Sequence, residues 1–276
     1  MLQGAMMEAT LIMVERRSSK QDRRQPDELP IARELAQAIE AGEIELSLQP
    51  QFACDDDVLV GTEALVRWSH PEAGQLAGDA LFEIAAQSGL ARQLSAYVRD
   101  AAMAAAAQWR ASLKLSLNVT ADDLADPGFA ASIAASLAAS TFEPERLTLE
   151  ITEQALVDEI EHSAEVLQGL SEAGIRIALD DFGAGFCNFR YLKLLPLHYL
   201  KLDRSMVDGI TADPRDLAVL RGIVAMAKAL DLSVIAEGIE TETQRALVAF
   251  EGCDFYQGFL KAKPMGVGEF LELARA

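Results

Sequence analysis

Along this chain, short apolar runs with alternating side chains are separated by longer runs of helical spacing. The strand-like runs are IELSLQ, GTEALVRW, LKLSLNV, RLTLEIT, IRIALD, HYLKLD, LSVIAE and a weaker CDFYQ. Helical patterns such as LSAYVRDAAMAAAAQWR, AEVLQGLSEAG and DLAVLRGIVAMAKAL lie between most of them. Strand alternating with helix predicts a parallel sheet with crossover helices. Eight strands in 276 residues predict a (β/α)8 barrel, with a doubly wound open sheet as the alternative. FACDDDVLV, between the first two strands, is too short for a crossover helix, so that pair is expected to be antiparallel.

The period of two assigns faces. In LKLSLNV, Leu113, Leu115, Leu117 and Val119 oppose Lys114, Ser116 and Asn118. Ile175, Ile177 and Leu179 oppose Arg176, Ala178 and Asp180, and Leu147, Leu149 and Ile151 oppose Thr148 and Glu150. Leu200 and Leu202 oppose Tyr199, Lys201 and Asp203, and Leu232, Val234 and Ala236 oppose Ser233, Ile235 and Glu237. The apolar face belongs against the helices. The mixed face belongs inside the barrel, and it ends in ionisable or amide groups. In parallel strands those groups converge at the C-terminal mouth, where barrel enzymes place their chemistry. Glu63 shares a face with Leu65 and Arg67, and it is expected to enter from the antiparallel strand.

The converging groups are Glu63, Asn118, Glu150, Asp180, Asp181, Lys201 and Glu237. Five carboxylates in one cavity are strongly destabilising if all are ionised. Cations resolve the conflict, and carboxylate and amide oxygens suit hard divalent ions such as Mg2+ or Mn2+. The scattered His70, His162 and His198 argue against a histidine site. Asp180 and Asp181 would face opposite ways in a regular strand. The chain is therefore expected to leave the strand there, with Gly183 and Gly185 forming a tight loop and Asp180 bridging two ions. Paired ions activate water for in-line displacement at phosphorus, which points to a phosphodiester.

Charge sharpens this picture. The formal net charge is −19, which argues against a nucleic-acid polymer as partner. A phosphodiester whose charge is offset by cations escapes that objection. Cys54, Cys187 and Cys253 have no paired spacing and are expected to be free thiols in a reducing compartment. No apolar run is long enough to span a membrane, so membrane insertion is not expected and a cytoplasmic location is. Residues 1–28 include ERRSSKQDRRQPDELP and are expected to be a linker or the remnant of an upstream segment, with one domain over 29–276.

At these residues the sequence resembles the EAL-domain family of cyclic di-GMP phosphodiesterases. The naming motif stands as EALVRW at 63–68. In family order lie QP at 49–50, NVT at 118–120, EITE at 150–153, DDFGAG at 180–185, KLD at 201–203, AEGIE at 236–240, QGF at 257–259 and KP at 263–264. The resemblance implies a modified TIM-like barrel with an antiparallel first strand, and hydrolysis of cyclic di-GMP to linear pGpG with two Mg2+ or Mn2+ ions per site. It implies that Glu63, Asn118, Glu150 and Asp180 hold one ion, and that Asp180 and Asp181 contribute to the second, with Glu237 nearby. By the same resemblance Glu237 is general base or holds the attacking water, and Lys201 positions that water and offsets charge. Gln49, Arg67 and Gln257 look like substrate contacts, while Glu153, Asp203 and Glu240 look like residues supporting the site loops and Lys201. The family also implies a homodimer and an upstream sensory or nucleotide-cyclase-like domain. Phe186, Cys187 and Asn188 stand where the family usually has an aromatic and two serines, so a slowly cleaving cyclic di-GMP receptor is the competing expectation.

Overall fold

The computed structural model describes residues 25–156, 160–185 and 189–275. Phe186, Cys187 and Asn188, and the expected linker up to residue 24, lie outside the described residues. The strands are β1 (Ile44–Ala53), β2 (Leu59–His70), β3 (Gly74–Ala77), β4 (Lys114–Val119), β5 (Leu147–Thr152) and β6 (Arg176–Phe182). They continue as β7 (Tyr199–Leu202), β8 (Ser233–Ala236), β9 (Phe255–Tyr256) and β10 (Met265–Gly266). The helices are α1 (Gln25–Ala41), α2 (Gly78–Gln87), α3 (Ala91–Ala106), α4 (Ala121–Leu124) and α5 (Phe129–Ser140). After them come α6 (Ile160–Glu172), α7 (Tyr191–Leu194), α8 (Pro214–Ala229), α9 (Glu242–Glu251) and α10 (Val267–Leu273).

Strands β2 and β4 to β9 run parallel, and β1 closes the barrel by pairing antiparallel with both β2 and β9. The open-sheet alternative is thereby excluded. The reversed strand is β1, not the one carrying Glu63. Glu63 lies on β2, in parallel register with Ser116, so it reaches the mouth as the other strand ends do. The β1–β2 turn is tight: Asp57 takes φ 58°, and Ala53 N–H donates to Val58 O at 2.9 Å.

The alternation sorts as expected. Leu115, Leu117, Val119, Leu147, Leu149, Ile151, Ile177, Leu179, Leu200, Leu202 and Val234 are buried in one core between barrel and helices. Ala178, Tyr199 and Ile235 form a separate cluster inside the barrel. Lys114 Nζ donates to Tyr199 Oη at 2.8 Å beside it. A further cluster packs α1 to α3 on the free ends of β1 and β2 through Leu35, Ile39, Val66, Trp68, Leu81 and Leu94. The short hairpin strands β3 and β10 extend the sheet beyond the barrel, antiparallel to β2 and β1.

Strand β6 does not end at Asp180, contrary to the expectation from sequence. It continues to Phe182 through a bulge: Leu179 aligns with Leu200, but Phe182 aligns with Leu202. Three steps on β6 therefore match two on β7. Asp181 absorbs the extra residue at φ 54°, so both carboxylates stay at the mouth. Gly183 follows at φ 104°, and a Cβ there would lie 2.3 Å from Met206 Cγ. Gly183→Ala is expected to lower stability by about 2–4 kcal/mol, through backbone strain and displacement of Met206. Denaturant unfolding checks this, and a loss below about 0.5 kcal/mol would mean that the bulge tolerates a side chain.

Candidate active site

Lys201 is the centre of the site. Its side chain is 1% exposed, and Nζ lies 2.6 Å from Glu150 Oε2, 2.9 Å from Asp180 Oδ2, 2.8 Å from Glu237 Oε1 and 3.4 Å from Glu63 Oε2. These groups come from within β2, from β5, β6 and β7 and from the residue after β8. Asn118, on β4, donates from Nδ2 to Glu63 Oε1 at 2.8 Å. Thr120 follows it and caps α4 in a reciprocal arrangement with Asp123, which fixes the chain just past Asn118. Gln257 Nε2 donates to Glu63 Oε2 and Glu237 Oε1, both at 3.0 Å.

Four carboxylates surround one ammonium, so the cluster is over-supplied with negative charge. Burial pushes the Glu150 carboxyl well above its ordinary range, and the neighbouring Glu63 and Asp180 add to that. Glu237 is pushed up to about 8, by burial first and then by Asp180 and Glu63. Asp181 is pushed up to about 6, by burial and by Asp180. Glu63 goes the other way. Burial raises it, but the Lys201 charge and hydrogen bonds from Gln257 and Asn118 outweigh burial and hold it below the ordinary range. Burial works against the Lys201 charge too, yet the surrounding carboxylates outweigh it and keep its pKa well above normal.

The donor set fits a hard divalent cation. One oxygen each from Glu63, Glu150 and Asp180 lies within 4.8 Å of the others, and all three residues are buried. Glu150 Oε1 is buried without a hydrogen-bond partner, which is costly unless something positive meets it. Asp180, Asp181, Asn118 and Glu237 line the same cavity, of about 510 Å3.

The other expected residues sit around this centre. Gln49, on β1, is buried and donates to Ala262 O at 3.2 Å. It shares a second cavity of about 230 Å3 with Glu237, Gln257, Arg204, Glu240 and Phe259. Arg67 is half-buried, four residues beyond Glu63 on β2. Glu153 opens the 3-10 turn that follows β5. The Asp203 carboxylate accepts from Ser205 N–H at 2.9 Å, and Glu240 pairs with Arg204 at 2.9 Å, so the bonds of these two go to the loops and not to Lys201. One contributor escaped the sequence reading. Gln51 is buried and donates to Gln257 Oε1 at 3.0 Å, orienting the amide that bridges Glu63 and Glu237. Its signal was present: Gln51 is two residues beyond Gln49 on the same strand face.

Fold and site together define a TIM-like barrel with a buried carboxylate cluster, built around a lysine, at the C-terminal mouth. The EAL domain family profile matches residues 32–264, and the chain belongs to the EAL domain family. It is 33% identical over 249 residues to "Bifunctional diguanylate cyclase/cyclic di-GMP phosphodiesterase MucR" of Pseudomonas aeruginosa, covering 89% of this chain and 36% of that protein. It is 35% identical over 259 residues to "Cyclic di-GMP phosphodiesterase NbdA" of the same organism, covering 92% and 33%. The chain thus spans about a third of the length of these curated relatives. Among solved structures, "PaMucR Phosphodiesterase, c-di-GMP complex" superposes with a TM-score of 0.81 at 34% identity, over 87% of this chain and 98% of that one. The cAMP- and cyclic-di-GMP-bound EAL enzyme Bd1971 superposes with a TM-score of 0.85 at 26% identity, over 98% and 75%.

Two outcomes follow from the charge imbalance. Raised carboxyls bind protons in the fold that the unfolded chain releases, so stability without metal is present at low pH and lost as pH rises through about 6 and 8. A bound divalent cation takes the place of those protons, so Mg2+ should restore the loss near pH 8 while releasing protons, read as a buffer-dependent heat in calorimetry. A pH-independent metal-free stability would contradict this. Separately, Lys201→Met leaves four carboxylates without their shared ammonium. In chelator it should lose about 3–5 kcal/mol, with much of the loss recovered in Mg2+. Equal losses with and without Mg2+, measured in urea, would show that the cluster does not hold a cation.

Proposed function

We propose that this chain is a Mg2+- or Mn2+-dependent phosphodiesterase that opens cyclic di-GMP to linear pGpG. The observation that carries the proposal is the buried carboxylate cluster at the barrel mouth, with Glu150 Oε1 unpaired at its base. Its position on the strand ends is where barrel enzymes carry out their reactions. The names of the relatives supply the substrate class.

Glu63, Asn118, Glu150 and Asp180 are the residues proposed to hold one cation, and Asp180, Asp181 and Glu237 those proposed to serve the second. When bound, the cations supply charge neutralisation at the phosphodiester and acidification of water. The chain's own residues do the rest. The Glu237 carboxyl, pushed up to about 8, is matched to accepting a proton from the attacking water near neutral pH. Gln257 and Lys201 both hold its Oε1, at 3.0 and 2.8 Å. Lys201 keeps its charge under these conditions and offsets the negative charge that develops at phosphorus. Gln49 and Arg67 are the residues proposed to contact the rest of the substrate, with Arg67 the donor suited to a phosphate oxygen. The new P–O bond forms to water, the P–O3′ bond breaks, and the leaving oxygen takes a proton. We further propose that the chain works as a homodimer downstream of a sensory or nucleotide-cyclase-like domain.

Incubation with cyclic di-GMP and Mg2+ or Mn2+, followed by nucleotide chromatography, should give pGpG. Asp180→Asn should lower kcat by at least about a thousandfold, because it removes the charge both cations share. Tight binding with no pGpG over hours would make the chain a receptor. Turnover retained in Asp180→Asn would remove that residue from the bridge.

A further inference from the structure

The two segments that carry Asp181 and Glu237 lie on either side of β7. Asp181 belongs to the bulge near the end of β6, and Glu237 follows β8. Backbone bonds carry the sheet one step beyond the strands. Asp203 N–H donates to Phe182 O at 3.2 Å, and Glu237 N–H donates to Leu202 O at 3.1 Å. After Asp203 the chain makes a 3-10 turn, Arg204–Met206, to which the cation chemistry gives no role.

That turn packs on both segments. On the β6 side, Gly183 takes φ 104°, and a Cβ on it would overlap Met206 Cγ and Sδ. On the β8 side, Gly238 takes φ 67°, and a Cβ on it would lie 2.5 Å from Arg204 Cγ and 2.7 Å from Arg204 Cβ. Each segment therefore presents bare backbone where a side chain of the turn needs the room, in a conformation that favours glycine. Gly183 stands two residues after Asp181, and Gly238 is next to Glu237. The turn is itself well held. Asp203 accepts from Ser205 N–H with its carboxylate and from Met206 N–H with its carbonyl, both at 2.9 Å. Val207, directly after the turn, is fully buried in the core between barrel and helices. The Arg204 guanidinium pairs with Asp208 at 3.2 Å and with Glu240 at 2.9 Å, which keeps its stem along Gly238.

A side chain packed on one segment sets that segment alone, whereas a turn packed on both sets the spacing between them. We propose that Met206 and Arg204 are positioning residues, and that their turn is a spacer fixing Asp181 and Glu237 relative to one another. Those are two of the three acids proposed to serve the second cation, and Glu237 is also the base for the attacking water. Glu63, Asn118 and Glu150 come from β2, β4 and β5, and Asp180 lies ahead of the bulged residue, so the seat of the first cation is independent of the spacer. This role rests on the two-cation phosphodiesterase reading and deepens it. Misplacing a reacting group by about 1 Å costs on the order of a hundredfold in rate, so a spacer need give way only slightly to be felt.

The test uses the whole chain, with Mn2+ alone as the binding probe and cyclic di-GMP as the substrate. In calorimetric titration the wild type should take up two Mn2+. Met206→Ala empties the space over Gly183. It should weaken the second Mn2+ about tenfold and leave the first within about twofold, so the first site also reports that the variant is folded. With cyclic di-GMP in Mg2+ the same variant should lose about tenfold in kcat with KM changed less than about threefold. Met206→Leu refills the space and should restore both readings. Arg204→Ala should also weaken the second Mn2+, and Arg204→Lys, which keeps the stem and the charge, should not. Gly183→Ala should lower kcat as well, but combined with Met206→Ala it should cost about fivefold less than the two losses multiplied, because the two groups compete for one space. An unchanged second Mn2+ affinity in Met206→Ala, equal weakening of both sites, a loss confined to KM, or multiplicative losses at Gly183 and Met206 overturns the proposal. Selective weakening of the second Mn2+ in Met206→Ala, with no pGpG formed by the wild type, overturns the hydrolase reading alone and supports the spacer.

Discussion

One ammonium inside a ring of carboxylates governs this molecule. Lys201 makes four attractions with Glu63, Glu150, Asp180 and Glu237, but four ionised carboxylates make six repulsions among themselves. At about 4 Å and an effective dielectric near 20, each pair is worth about 4 kcal/mol. Attractions and repulsions of similar size cannot balance at those numbers. The excess has to be met by protons or by cations, and burial makes the debt larger by penalising every ionised form. The raised Glu150 and Glu237 carboxyls are the proton answer. The unpaired Glu150 oxygen shows that this answer leaves the cluster incomplete. The site is thus unstable in its charged form and specific in what can relieve it.

The rest of the fold makes such a cluster tolerable. Closing eight strands into a barrel leaves no sheet edge at which the ring could spread apart. The leucine, isoleucine and valine faces of β4 to β8 lock the strands against the helices, and Tyr199, Ala178 and Ile235 plug the barrel below Lys201. The repulsion is therefore held by apolar packing around it, which accounts for the low exposure of every residue in the ring except Asn118, Asp181 and the partly open Glu237.

Much of this was legible in the sequence, because it rests on the period of two. Lys114, Ser116 and Asn118, or Arg176, Ala178 and Asp180, declare an inward face without any coordinates, and barrel closure brings their last members together. What was not legible depends on relations between strands. The family resemblance implies the reversal of β1, but strand periodicity does not, because it is decided by which strand pairs with β9, across about two hundred residues of chain. The bulge at Asp181 is a mismatch between β6 and β7, and neither segment shows it alone. The partners of Asp203 and Glu240 are likewise settled by local loop bonds, to Ser205 and Arg204.

That bulge also bears on how the two parts of the mouth divide their work. A regular strand would turn Asp181 outward and leave Asp180 as the one β6 carboxylate at the mouth. The extra residue keeps both at the mouth but gives them different surroundings: Asp180 is buried against Lys201, and Asp181 is exposed at the rim of the same cavity. The Glu237 loop repeats the pattern across the barrel. Glu237 turns into the ring, while Glu240, three residues later, turns out to Arg204. In both places one short segment supplies one acid turned into the ring and one nearer to solvent. Buried acids gain by giving up protons to a cation, whereas Glu240 is held at the surface by the Arg204 guanidinium. The mouth therefore gathers its buried carboxylates at the floor and keeps the Arg204–Glu240 pair apart from them at the rim.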